Sequence, residues 1–172
     1  MFRLNHPSEK GQSLVEVALT FTFLLLLVGV VIDLGMMFYT YLSLRDIAQE
    51  GAIYGSYSPV LSDSLPTTHP TSSDEIYQRI IDAAKFPINS AQIQPGDITV
   101  TCNGNICAAP TTDTCPGQKI TVQIIYDYRF ITPLLGMVYD QNIPLNSTVT
   151  DTILSSDATI AALTPLNQSC FP

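Results

Sequence analysis

The chain has 172 residues with a formal net charge of −8, mean hydropathy +0.25 and no tryptophan, which allows one modest domain beyond any membrane segment. After Asp33 only Arg45, Arg79, Lys85, Lys119 and Arg129 oppose twelve acids, so no basic patch exists and nucleic acid is excluded as a partner. The outer part offers one histidine, His69, and no GxSxG, HExxH or phosphate-cradling glycine loop, so nothing calls for a catalytic residue, a cofactor or a metal.

Residues 1–11 are short and polar and read as a leader rather than as fold. The run from Gln12 to Ile32 carries a single ionisable side chain, Glu16, and at ~1.5 Å per residue it spans roughly 31 Å, a bilayer's hydrocarbon core. Residues 12–33 are therefore expected to form one transmembrane helix, with the lipid bilayer as its surroundings. An ordinary secretory signal would have a shorter apolar region and a small-x-small cleavage site. Arg3 and Lys10 precede the run and the next basic residue is Arg45, which places the leader in the cytoplasm and the rest of the chain outside. A carboxylate one turn inside an apolar span is costly and marks function. If the chain is cut after Gly11, the new amine of Gln12 pairs with Glu16 of its own or a neighbouring chain, lowering the cost of burying both charges. A charged leader ending in Gly11, four uncharged residues, Glu16 and a long apolar run resembles type IV prepilins and pseudopilins.

Asp33 follows, too close to the outer interface to need burial, and Phe38, Tyr39 and Tyr41 suit the aromatic interfacial layer. No proline occurs between Pro7 and Pro59, so the helix continues to about Tyr57, with 34–57 as a projecting stalk. Ala48, Gly51, Ala52 and Gly55 place small side chains at spacings of three and four and form a packing seam for another element. GQSLVE, the apolar run, IDLG, FYTY and LRDIAQEGAIYGS together resemble the amino-terminal signature of TadE-like proteins, pseudopilins of Tad (Flp, type IVc) pilus systems. The resemblance makes Gly11 and Gln12 the processing site, Glu16 the assembly glutamate, Asp33 and Gly35 the Asp-x-Gly after the span, and Glu50-Gly51-Ala52 the stalk motif. Met36 and Ile53 stand where the family usually has basic residues. The partners it implies are a prepilin peptidase, other pilins and pseudopilins, and Tad inner-membrane assembly proteins.

Residues 58–73 read as a linker, interrupted by Pro59, Pro66 and Pro70, with His69 a solvated loop residue. Residues 74–172 form the extracytoplasmic domain. Ser72-Ser73-Asp74-Glu75 reads as a capping box, and Ile76, Tyr77, Ile80, Ile81 and Ala84 give an amphipathic helix over about 74–86. The period then changes to two. DITVTC reads as a strand, Asn103-Gly104 as a tight turn, and QKITVQIIYDYRF as a longer strand with Ile120, Val122, Ile124, Tyr126, Tyr128 and Phe130 on one face and Ile125 off it. Ile143, Leu145 and Val149 within the Thr-rich NSTVTDTIL make another, and IIYDYRFITPLLG resembles the strand-then-Thr-Pro-Leu run of TadE-like carboxy-terminal halves.

Cys102, Cys107, Cys115 and Cys170 lie in the outer, oxidising compartment and lack the CxxC spacing of a zinc site, so they are candidate disulfides. One bridge among the first three, with Cys170 reaching back from the tail, is one of the open pairings. The expected fold is α+β and pilin-like: a long amino-terminal helix on a small antiparallel sheet with one short helix. The expected function is that of a minor pseudopilin or assembly subunit, in the cell membrane and pilus-associated. An uncleaved, single-pass anchored binding module is the alternative, and an anchored enzyme is a third class, without a nucleophile–base pair to support it.

Overall fold

The computed structural model describes residues 10–58, 68–107, 115–132 and 142–154. Its backbone is one uninterrupted helix, α1, Lys10–Tyr57, 48 residues long, as the absence of internal proline requires. A shorter helix, α2, spans Glu75–Ala83. Four strands follow: β1 Ile98–Cys102, β2 Asn105–Ile106, β3 Lys119–Arg129 and β4 Asn142–Thr152, in the order β2-β1-β3-β4, every neighbouring pair antiparallel. The architecture is α+β, with α1 lying along β3 and β4 and α2 packed against α1.

The alternation read from the sequence is the alternation of burial. Ile120, Val122, Ile124, Tyr126 and Tyr128 of β3 face the core, and Ile125 stands on the outer face, 40% exposed. The core is completed by Ile98 and Val100 of β1, Ile76 and Ile80 of α2, and Leu44, Ile47, Ala48 and Ala52 of α1. Asn103 and Gly104 turn β1 into β2 with φ of 50° and 83°, the left-handed pair a tight hairpin turn requires.

Three local expectations are corrected. The helix expected over 74–86 is shorter, because its chain leaves helical geometry at Ala84, ahead of the cis Phe86–Pro87 bond. Its start carries no side-chain cap: the Asp74 carboxylate instead accepts the Thr71 N–H at 2.6 Å, closing the preceding turn. His69 is exposed, as expected of its loop, but is not merely solvated, since its Nδ1 lies 2.8 Å from the Ile98 carbonyl. Beside it the Val100 N–H donates to the Thr68 carbonyl at 2.7 Å, so this stretch runs along β1.

Candidate functional site

The long helix divides into two stretches by what covers it. From Gly11 to Val28 every residue is exposed, Gly29 and Val30 are half-buried, and α1 is the one helix among the described residues long and apolar enough to cross a membrane. Gly11, Gln12 and Glu16 lie in this uncovered stretch. Glu16 is on the helix surface, and its carbonyl accepts the Thr20 hydroxyl at 2.9 Å. Among the described residues none covers Gly11, Gln12 or Glu16, and the Glu16 side chain stands exposed on the helix.

From Asp33 onward one face of α1 is buried at helical spacing: Asp33, Thr40, Leu44, Ile47, Ala48, Gly51, Ala52, Gly55 and Ser56. The four small residues singled out in the sequence lie together on this face. A Cβ on Gly51 would stand 2.8 Å from Ile80 Cγ1, and one on Gly55 would stand 2.5 Å from Ile120 Cδ1. Both glycines are therefore missing side chains whose space is filled by core isoleucines of α2 and β3. The seam serves packing within the chain, and residues 34–57 are not a bare stalk.

Asp33 overturns the expectation that it needs no burial. Its side chain is 0% exposed. Oδ1 accepts the Ile131 N–H at 3.1 Å, and Oδ2 accepts the Thr132 N–H at 3.0 Å together with the Thr132 hydroxyl. The Tyr128 hydroxyl donates to the Asp33 carbonyl at 3.4 Å. Tyr128 in turn sets its ring edge-on to Phe130, with centroids 5.9 Å apart. Burial, and secondarily the Asp33 charge, push the Tyr128 phenol above its ordinary value of 10.0. One turn earlier on the helix, a Cβ on Gly29 would touch the Thr132 methyl at 3.4 Å. A carboxylate buried at the end of an apolar run is tolerable only when its lone pairs are filled, and three donors from the end of β3 fill them. At the other end of the helix the Leu154 N–H donates to the Ser56 carbonyl at 2.9 Å, so α1 is fastened to the sheet at both ends of its buried stretch.

This junction is the part of the site that residue-by-residue reading missed. Its signal was periodicity: the small-residue stripe at Gly55, Ala52 and Ala48, continued backwards at helical spacing through Leu44 and Thr40, arrives at Asp33 and Gly29.

Cys102 and Cys107 are joined by a disulfide across the β1–β2 hairpin, with Cα atoms 5.0 Å apart. Cys115 is buried and also disulfide-bonded, and Cys170 falls outside the described residues. On the second face of the sheet a cavity of about 340 Å³ is lined by Gln92, Asp97, Ile125, Asp127, Arg129 and Asn142, which bring two carboxylates and a guanidinium together. Among the described residues no group of three His, Cys, Asp or Glu side chains is placed to hold a metal ion.

A long amino-terminal helix, uncovered along its apolar half and packed on a small antiparallel sheet along the other, is the plan of pilin-like proteins. The family model described as TadE-like protein matches residues 11–52, which run from the first exposed residue of the helix into its glycine seam. No curated protein and no solved structure matches the chain.

Proposed function

We propose that the chain is a minor pseudopilin or assembly subunit of a Tad-type pilus or secretion machine. It is inserted in the cell membrane with the leader in the cytoplasm and the α+β domain outside, and it is cut after Gly11 by a prepilin peptidase. The observation that carries this reading is the coincidence of the TadE-like match with a helix whose apolar stretch from Gly11 to Val28, bearing Glu16, is exposed throughout. The mechanism is structural rather than catalytic. Lipid supplies no hydrophobic drive between helices, so close packing and charge pairing must provide specificity. Glu16 and the new amine of Gln12 supply the pair, between neighbouring pilins or pseudopilins, and set the axial register of one subunit against the next. Tad inner-membrane assembly proteins are the remaining partners.

The test is the amino-terminal residue and intact mass of the protein taken from membranes of a host with its own pilus locus. A chain starting at Gln12 is expected. A chain starting at Met1 would favour the uncleaved anchored module instead, and a start beyond Asp33 would mean that the helix is a secretion signal. Glu16→Gln should then leave insertion intact and impair assembly, whereas normal pili from that variant would remove the role given to Glu16.

A further inference from the structure

The contacts around Asp33 also set the height of the sheet over the apolar run. The Thr132 methyl touches the position of Gly29, three residues inside the last residue of the charge-free stretch, Ile32. The end of β3 is therefore level with the end of the span, not raised above it on a stalk. At that level Ile131 is 63% exposed, and Val28 and Ile32 of the helix are 43% and 54% exposed.

The polar groups of the same tip are arranged the opposite way. The Ile131 and Thr132 N–H groups lie past the last rung of the β3–β4 ladder, Arg129 opposite Asn142, and both turn inward onto the Asp33 carboxylate. In water such donors need no protein partner, whereas at hydrocarbon depth each backbone donor must find one within the protein. The sequence agrees, because no charged side chain occurs between Arg129 and Asp140. Apolar side chain outward and backbone donors inward is the arrangement of a surface that meets lipid.

We propose that the Phe130–Thr132 end of the outer domain seats in the acyl–headgroup boundary of the bilayer beside the span, with Ile131 inserted among lipid chains. The occupant of this surface is lipid because the surface is continuous with the lipid-facing side of α1. The domain is thereby held against the membrane at a fixed depth before assembly. This inference rests on α1 crossing the membrane, and its test separates the two.

The chain has no tryptophan, so one introduced tryptophan reports one place. Ile131→Trp, Phe23→Trp within the apolar run and Ile125→Trp on the outer face of β3 are each made in the full chain. Each is reconstituted in phosphatidylcholine vesicles with plain or brominated acyl chains, and circular dichroism checks the fold. Phe23→Trp should be strongly quenched by brominated lipid, and Ile125→Trp should be quenched only by aqueous iodide. Ile131→Trp should lose roughly half its emission or more in brominated lipid and resist iodide, as an aromatic ring at the interface does. If Ile131→Trp behaves like Ile125→Trp, the proposal is wrong. Emission insensitive to both quenchers would also overturn it, in favour of cover by another protein chain. If Phe23→Trp itself escapes brominated lipid, it is the spanning helix that fails. Should Ile131→Trp misfold, Ile131→Cys carrying a bimane label takes its place with the same expectations.

Discussion

Replacing Asp33 separates the junction from the rest of the fold. Asp33→Ala removes the acceptor of three hydrogen bonds and leaves two backbone N–H groups and the Thr132 hydroxyl facing a space with no acceptor. Bonds to a charged acceptor contribute about 1.5–3 kcal/mol each, but they share one carboxylate and do not add, so a total loss of about 3–5 kcal/mol is expected. Asp33→Asn keeps the shape and one good acceptor while turning an NH2 group toward a donor, which should cost about 2–3 kcal/mol. Hydrogen–deuterium exchange in nanodiscs, read on peptides covering 126–132, is the assay. A loss of 2–3 kcal/mol corresponds to exchange faster by roughly 30- to 150-fold at Ile131 and Thr132. The amides of Ile120 and Val122 should change far less, because those residues are held near Gly55 and Gly51 at the far end of the seam. Unchanged exchange at Ile131 and Thr132 in both variants would refute the assignment of Asp33 as the group that fastens the sheet to the helix.

Other substitutions test the seam, the hairpin and the phenol. Gly51→Ala should destabilise by about 1–3 kcal/mol despite the ~1 kcal/mol helix-propensity gain, since its Cβ meets both Cγ1 and Cδ1 of Ile80, whereas Gly35→Ala, with nothing within 4 Å, should stabilise by up to about 1 kcal/mol. Urea melts of the two variants check the opposite signs. The pair Cys102→Ser and Cys107→Ser opens a loop of sequence separation 5, worth about 2 kcal/mol by loop-closure entropy, and should lower the urea midpoint accordingly. The Tyr128 phenol titrates higher in the folded chain than its ordinary 10.0, so the native state holds this proton more tightly than the unfolded one. The stability it contributes is complete below pH 10.0 and is lost as pH rises from there through the raised native value. Tyr128→Phe should flatten that alkaline fall, and an identical pH profile in both proteins would contradict the burial of the phenol.

The strands were legible because burial on one face imposes a period of two, and even Ile125, the apolar residue that broke the pattern, obeys it by standing on the outer face. The seam was legible because Gly51 and Gly55 weaken a helix unless something fills their space, and Ile80 and Ile120 fill it. The junction was not legible from Asp33 alone. Its donors come from residues almost a hundred positions away, and local reading ranks an aspartate beside the interface as a solvated one. The missing cap on α2 has a similar cause, because the Thr71 N–H competes for the Asp74 carboxylate that local sequence assigns to the helix.

The lengths of the two long elements explain why the helix is fastened where it is. At ~1.5 Å per residue, the stretch of α1 from Asp33 to Ser56 rises about 35 Å, and at ~3.3 Å per residue the 11 residues of β3 extend about 36 Å. Ile120 meets Gly55, Val122 lies 3.5 Å from the Cβ position of Gly51, and Tyr128 reaches Asp33, so strand and helix run side by side in opposite directions. A sheet of this length covers the helix down to Gly29 and no further. Before it every described residue of the helix is exposed, and apart from the polar positions Gln12, Ser13, Glu16, Thr20 and Thr22 the side chains there are apolar all round, so no face among them is marked for the sheet. The division between covered and uncovered helix is therefore set by strand length, and Asp33 stands at the division because only there can a carboxylate collect the two backbone donors that β3 leaves past its last rung.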